Sequence, residues 1–178
     1  MAKKKGLKLN LSLILCGAAA LLGLVAVFML FAPNLTREYT LLTNSTTVEY
    51  SGLEVVFGKE RVYDYDWIQL ESKPFNFSFL SLLTYILALV GVVFAVLAAL
   101  GKLGKIAPIA SAACFVVAAV FFFIAVPTCV LNVSDKTTAE QISKLKEVYS
   151  LGAGVIVAGI FSILSALASA ATLVLKKK

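Results

Sequence analysis

PFNFSFLSLLTYILALVGVVFAVLAALGKLGKIAPIASAACFVVAAVFFFIAVPTCVLNVS, residues 74–134, decides the architecture of this chain. Its only charges are Lys102 and Lys105, in the five-residue stretch Gly101-Lys102-Leu103-Gly104-Lys105. The uncharged run is 28 residues back to Lys73 and 29 forward to Asp135. A helix crosses the apolar core of a bilayer with about 20 residues. Each run is therefore long enough for one span with a polar flank. The stretch between them is too short for anything but a helical hairpin, so the two spans pack antiparallel.

Working outward, the same spacing recurs at both ends. Lys8 to Arg37 and Glu147 to Lys176 each enclose 28 uncharged residues. The expected fold is an all-α membrane protein with a four-helix transmembrane bundle. Its helices lie at about 9–32, 76–100, 106–128 and 150–175, in a single membrane domain over 1–178. Outside loops fall at about 33–75 and 129–149, the first bearing a small extracellular antiparallel β-sheet. Composition demands the same solvent: 60% of the 178 residues are apolar and 15% charged, more apolar surface than a soluble domain this small can hide.

The lysines orient the bundle. Lys3, Lys4, Lys5, Lys8, Lys102, Lys105 and Lys176–Lys178 fall on one side with no acid, while all ten acids fall on the other. The positive-inside rule makes the lysine side cytoplasmic, with both termini there and the chain multi-pass in the plasma membrane. The net charge of +6 is thus spent at membrane boundaries, which argues against nucleic acid and for the lipid bilayer as partner. The first span is too long for a signal-peptide core and lacks a small-residue cleavage site. Leu13-Ile14-Leu15-Cys16-Gly17 lacks the small residue that a lipoprotein box needs before its cysteine.

Small residues mark where helices approach one another in lipid. The last span repeats Gly154, Ala158, Ser162, Ala166 and Ala170, with bulky Ile160, Leu164 and Leu167 opposite. The other spans carry Cys16, Ala20, Gly23 and Ala26; Thr84, Ala88, Gly91, Ala95 and Ala98; and Ala107, Ser111, Cys114 and Ala118. These stripes suit a tight bundle within one chain. The alternative is that one stripe, best represented by Gly154, Ala158 and Ser162, is a contact surface for a partner.

In the first outside loop, Thr47–Tyr50, Leu53–Phe57 and Arg61–Trp67 have the β-branched, aromatic and alternating character of short strands. Alternation sets Tyr63, Tyr65 and Trp67 on one face as a contact surface, and Asp64 and Asp66 on the other as weak ligand candidates for a hard cation. The simpler expectation packs the aromatic face at the membrane interface, where Tyr and Trp are enriched. In the second outside loop, Thr138-x-x-Gln141 reads as a capping box. Ile142, Leu145 and Tyr149 follow at helical spacing, predicting a helix that runs straight into the last span.

With no histidine in the chain, Ser-His-Asp, Cys-His and histidine-metal sites are excluded. No charged residue lies inside a span, which argues against proton-coupled transport and charge-selective pores. The chain is expected not to be an enzyme and to need no cofactor. Cys16 and Cys114 sit in apolar runs, and Cys129, near the outer surface, has no outside cysteine to pair with. Asn34, Asn44, Asn76 and Asn132 begin N-x-Ser/Thr sequons, incidental if the compact lysine-capped chain is bacterial.

The layout of a short inner N-terminus, a long β-bearing first outer loop, a tight inner turn and a shorter second outer loop resembles the claudin and peripheral-myelin-protein group. The claudin loop signature of Trp, Gly-Leu-Trp and two cysteines does not occur: Trp67 stands alone and the first loop has no cysteine. No claudin functional residue carries over. The resemblance implies a four-span fold and a role in lateral association or as an accessory subunit. The expected function is therefore non-enzymatic, through contacts with itself or another membrane protein. The alternative is a carrier or channel for lipid or an uncharged small solute.

Overall fold

The computed structural model describes residues 11–41, 44–65, 68–134 and 136–175, with the backbone alone at 39–41, 44, 61–65 and 68–72. Four helices are long and apolar enough to cross a membrane. They are α1 (Leu11–Phe28, extended by a 3-10 turn to Phe31), α3 (Phe79–Ala99), α4 (Ile106–Phe123) and α7 (Ala153–Leu175). Between them lie the strands β1 (Pro33–Leu41) and β2 (Asn44–Ser51), the short helix α2 (Gly52–Phe57), and the hairpin β3 (Arg61–Tyr65) and β4 (Ile68–Ser72). After α4 come a single turn α5 (Ala125–Thr128), the helix α6 (Ala139–Lys146) and the strand β5 (Tyr149–Leu151).

The four long helices form a square in which α1 and α4 each touch α3 and α7. Small residues permit the approach, and one large ring fills the space they leave. Phe115 of α4 is fully buried. A Cβ on Gly91 of α3 would lie 3.0 Å from that ring, and one on Gly23 of α1 would overlap it. The stripes Thr84, Ala88, Gly91, Ala95, Ala98 and Ala107, Ser111, Ala118 are buried, while Cys114 is only half-buried. In α1 the buried position is Ala19, not Ala20. Outward faces carry Leu21, Val93, Val116, Val120, Ile160 and Leu167, all exposed, as lipid would require.

One hydroxyl ties three helices. Ser111 Oγ donates to the Gly91 carbonyl at 2.9 Å and lies 3.0 Å from Ser169 Oγ. Because the Ser111 proton is committed to the carbonyl, Ser169 is the donor in that second bond.

The remaining elements form a head at one end of the bundle. Cys16, Ala98 and Ala107 cluster at the other end, beside the Lys102–Lys105 turn. The main sheet has the order β2-β1-β5, antiparallel throughout, so β5 brings the approach to α7 against the strand that follows α1. Beneath it, Leu35, Tyr50, Val55, Phe75, Cys129, Leu131 and Tyr149 make a second core.

Two expectations are corrected here. Leu53–Phe57 is helical: Ser51 and Glu54 form a reciprocal capping box, and Gly58, at φ 67°, ends the helix in the left-handed region. Nor does the second loop's helix run into the last span. α6 ends at Lys146, and the chain extends as β5 because β1 offers it an open edge.

Candidate functional site

The head is fastened to the bundle by backbone and side chains together. Gly52 N–H donates to the Ala32 carbonyl (3.2 Å), Ser78 N–H to Val56 (2.9 Å) and Gly152 N–H to Asn34 (2.8 Å). Adjacent residues of α2 face opposite ways: Val55 enters the head core, while Val56 joins Ala26, Tyr85, Ala118, Phe122 and Val155 in the bundle core. Asn34, 4% exposed, donates its side-chain amide to the Tyr85 hydroxyl. Asn34, the first residue of one sequon, thus lies in the interior of the folded chain.

Beside the head core lies a cleft of about 280 Å³, lined by residues from six separate segments. Tyr50 and Tyr149, 3% and 7% exposed, form its base; Leu131, Val133 and Leu145 form an apolar wall. Two cations line it, Arg37 from β1 and Lys73 from the segment after β4. The Arg37 guanidinium sits over the Tyr149 ring, 5.4 Å from its centroid. Lys73 Nζ approaches Glu60 at 3.9 Å, with both side chains solvent-exposed, so the pair is weak. Asn132 is a structural member, donating to the Lys73 carbonyl at 2.9 Å and accepting from Asn76 at 3.3 Å.

The sequence-predicted residues fall elsewhere. Gly154, Ala158 and Ser162 are buried inside the chain's own bundle, Gly154 against Ala32 and Pro33, so a partner meeting α7 would meet its other faces. Tyr63, Asp64 and Tyr65 lie on β3, opposite Leu70, Gln69 and Ile68. Their side chains, and Asp66 and Trp67 altogether, lie outside the described residues. Among the described residues, no group of three or more metal-ligating side chains comes together.

Cys129 is not near the surface; it is 1% exposed, and its thiol donates to the Val126 carbonyl at 3.0 Å. Burial pushes this thiol's pKa up, opposed in part by the charge of Lys146. Arg37 and Lys73 carry no local motif, and sequence reasoning missed them. The available signal was Arg37 at the same strand parity as Leu35. The chain matches no family model, no curated protein and no solved structure.

Proposed function

We propose that this chain is a non-enzymatic multi-pass membrane protein that works by contact, as an accessory subunit or a self-assembling component. In this reading the head stands outside the cell, both termini are cytoplasmic, and the bundle is a rigid anchor. The observation that carries it is the union of head and bundle: Val56 and Asn34 reach from one into the other, and Phe115 and Phe122 fill the bundle's axis. A bundle axis filled with side chains supports an anchor rather than a solute path, and a head fixed to it presents one defined surface.

The test is cross-linking in native membranes, followed by identification of whatever is attached. A specific partner, or a second copy, is the expected result. A strictly monomeric purified protein with nothing attached in membranes would overturn the reading.

One observation favours the alternative of lipid handling. An apolar groove of about 320 Å³ runs between α4 and α7 on the outward face, floored by Ala112, Ala119, Ala166 and Ala170. Lipid scrambling in reconstituted vesicles, abolished by Ala166→Phe, is the result that would establish it. No flux in vesicles that contain the folded protein would remove it.

A further inference from the structure

We propose that the joint between head and bundle is a binding site for a single water molecule, held by Asn34, Tyr85 and Ser81. Such a site explains how the head is fixed to the bundle, whatever partner the head meets.

The joint contains hydrogen-bonding capacity with nowhere to go. Asn34 Oδ1 is buried and accepts no hydrogen bond among the described residues. The amide of the same side chain donates to the Tyr85 hydroxyl, which serves there as acceptor. A phenol that accepts still has its own proton to give. Turning the amide over would let that proton reach the amide oxygen and would strand an N–H group instead. In either orientation one polar atom of Asn34 needs a partner, and an interior position makes the lack of one costly.

The space for that partner is present. Asn34, Ser81 and Tyr85 line a cavity of about 10 Å³, which is room for one water and nothing larger. Val55 borders it from the head core, and Phe122 and Val155 from the bundle core. All three are buried and apolar, so they hold the cavity's shape and offer no bond of their own.

The third partner follows from the serines at the start of α3. Ser78 Oγ donates to the Thr128 carbonyl at 2.9 Å, so Ser81 must be the donor in the 2.9 Å contact between the two hydroxyls. Ser81 Oγ therefore has a lone pair free and no proton to offer. It stands four residues before Tyr85 on the same face of the helix, and a helical tyrosine leans back over the preceding turn. The site thus presents one donor, Tyr85, and two acceptors, Asn34 Oδ1 and Ser81.

A ligand matching this set accepts one hydrogen bond and donates two, which is water making the three bonds usual for a buried molecule. An anion would find a single donor. A bare cation would meet only neutral oxygens among the described lining residues, without the opposite charge that burying an ion demands. Bound there, the water links β1, through Asn34, to two successive turns of α3, and a bridge of this kind is nearly as good as a direct bond.

A crystal structure of the full chain grown from a lipid phase, at a resolution that shows ordered water, tests this. One density peak is expected about 2.5–3.0 Å from Asn34 Oδ1 and from the Tyr85 and Ser81 oxygens. Tyr85→Phe should abolish the peak while the ring keeps its place. If that variant does not fold, Ser81→Ala, which leaves the bond between Asn34 and Tyr85 intact, should roughly halve the peak's occupancy. A well-ordered joint with an empty cavity in the unmodified chain would overturn the proposal, as would a peak indifferent to the substitution. So would a peak that scatters anomalously once thallium(I) replaces sodium in the medium, because the site would then hold a cation.

Discussion

Phe115 carries more of the bundle than any small residue does, because Gly23 and Gly91 are spaces shaped to its ring. Gly23→Val should destabilise the fold by about 1–3 kcal/mol through overpacking, and Phe115→Leu in the same chain should recover part of that loss. Unfolding by increasing SDS measures both. Sequence reading placed the two glycines in helix-contact stripes but passed over Phe115, since a large ring within an apolar run carries no periodic mark of its own. At Cys129 the consequence is a pH dependence. Its thiol is held protonated in the folded chain, whereas the unfolded thiol ionises above about pH 8.5. Folding stability should therefore fall as pH rises past that point, and Cys129→Ala should reduce the slope of melting temperature against pH.

Among the elements, the long helices were legible and the short ones were not. The spacing of charges located each span to within a few residues, because lipid excludes charge whatever the helices pack against. Leu53-Glu54-Val55-Val56-Phe57 looks like a strand by composition, yet Ser51 N–H and Glu54 N–H are satisfied by each other's side chains, at 2.8 and 3.4 Å. Three β-branched or aromatic residues lost to two capping bonds and a glycine stop. Ser51→Ala should accordingly cost about 1 kcal/mol, read as a lowered denaturation midpoint. β5 was beyond local reading for another reason: three residues form a strand only because β1 lies beside them from the far end of the chain. The cleft inherits this difficulty, since its base joins Tyr50 to Tyr149.

At the scale of the molecule, head and bundle share side chains and should unfold as one. Val56→Ala, in the head helix whose side chain enters the bundle core, is expected to lower the stability of both by roughly 1–3 kcal/mol. Amide exchange in β1 and in α3 should accelerate together; acceleration in β1 alone would show the head to be a separate unit. The β1–β5 pairing also sets a clock on biosynthesis. Leu35 must find Leu151, and at 5–20 residues per second a ribosome delivers the second roughly 6–23 s after the first. For that interval β1 waits with one edge bare, a template for any strand that arrives sooner. A newborn chain stalled before its last helix would expose that edge, which makes the incomplete protein, rather than the finished one, the form that a chaperone or protease should recognise.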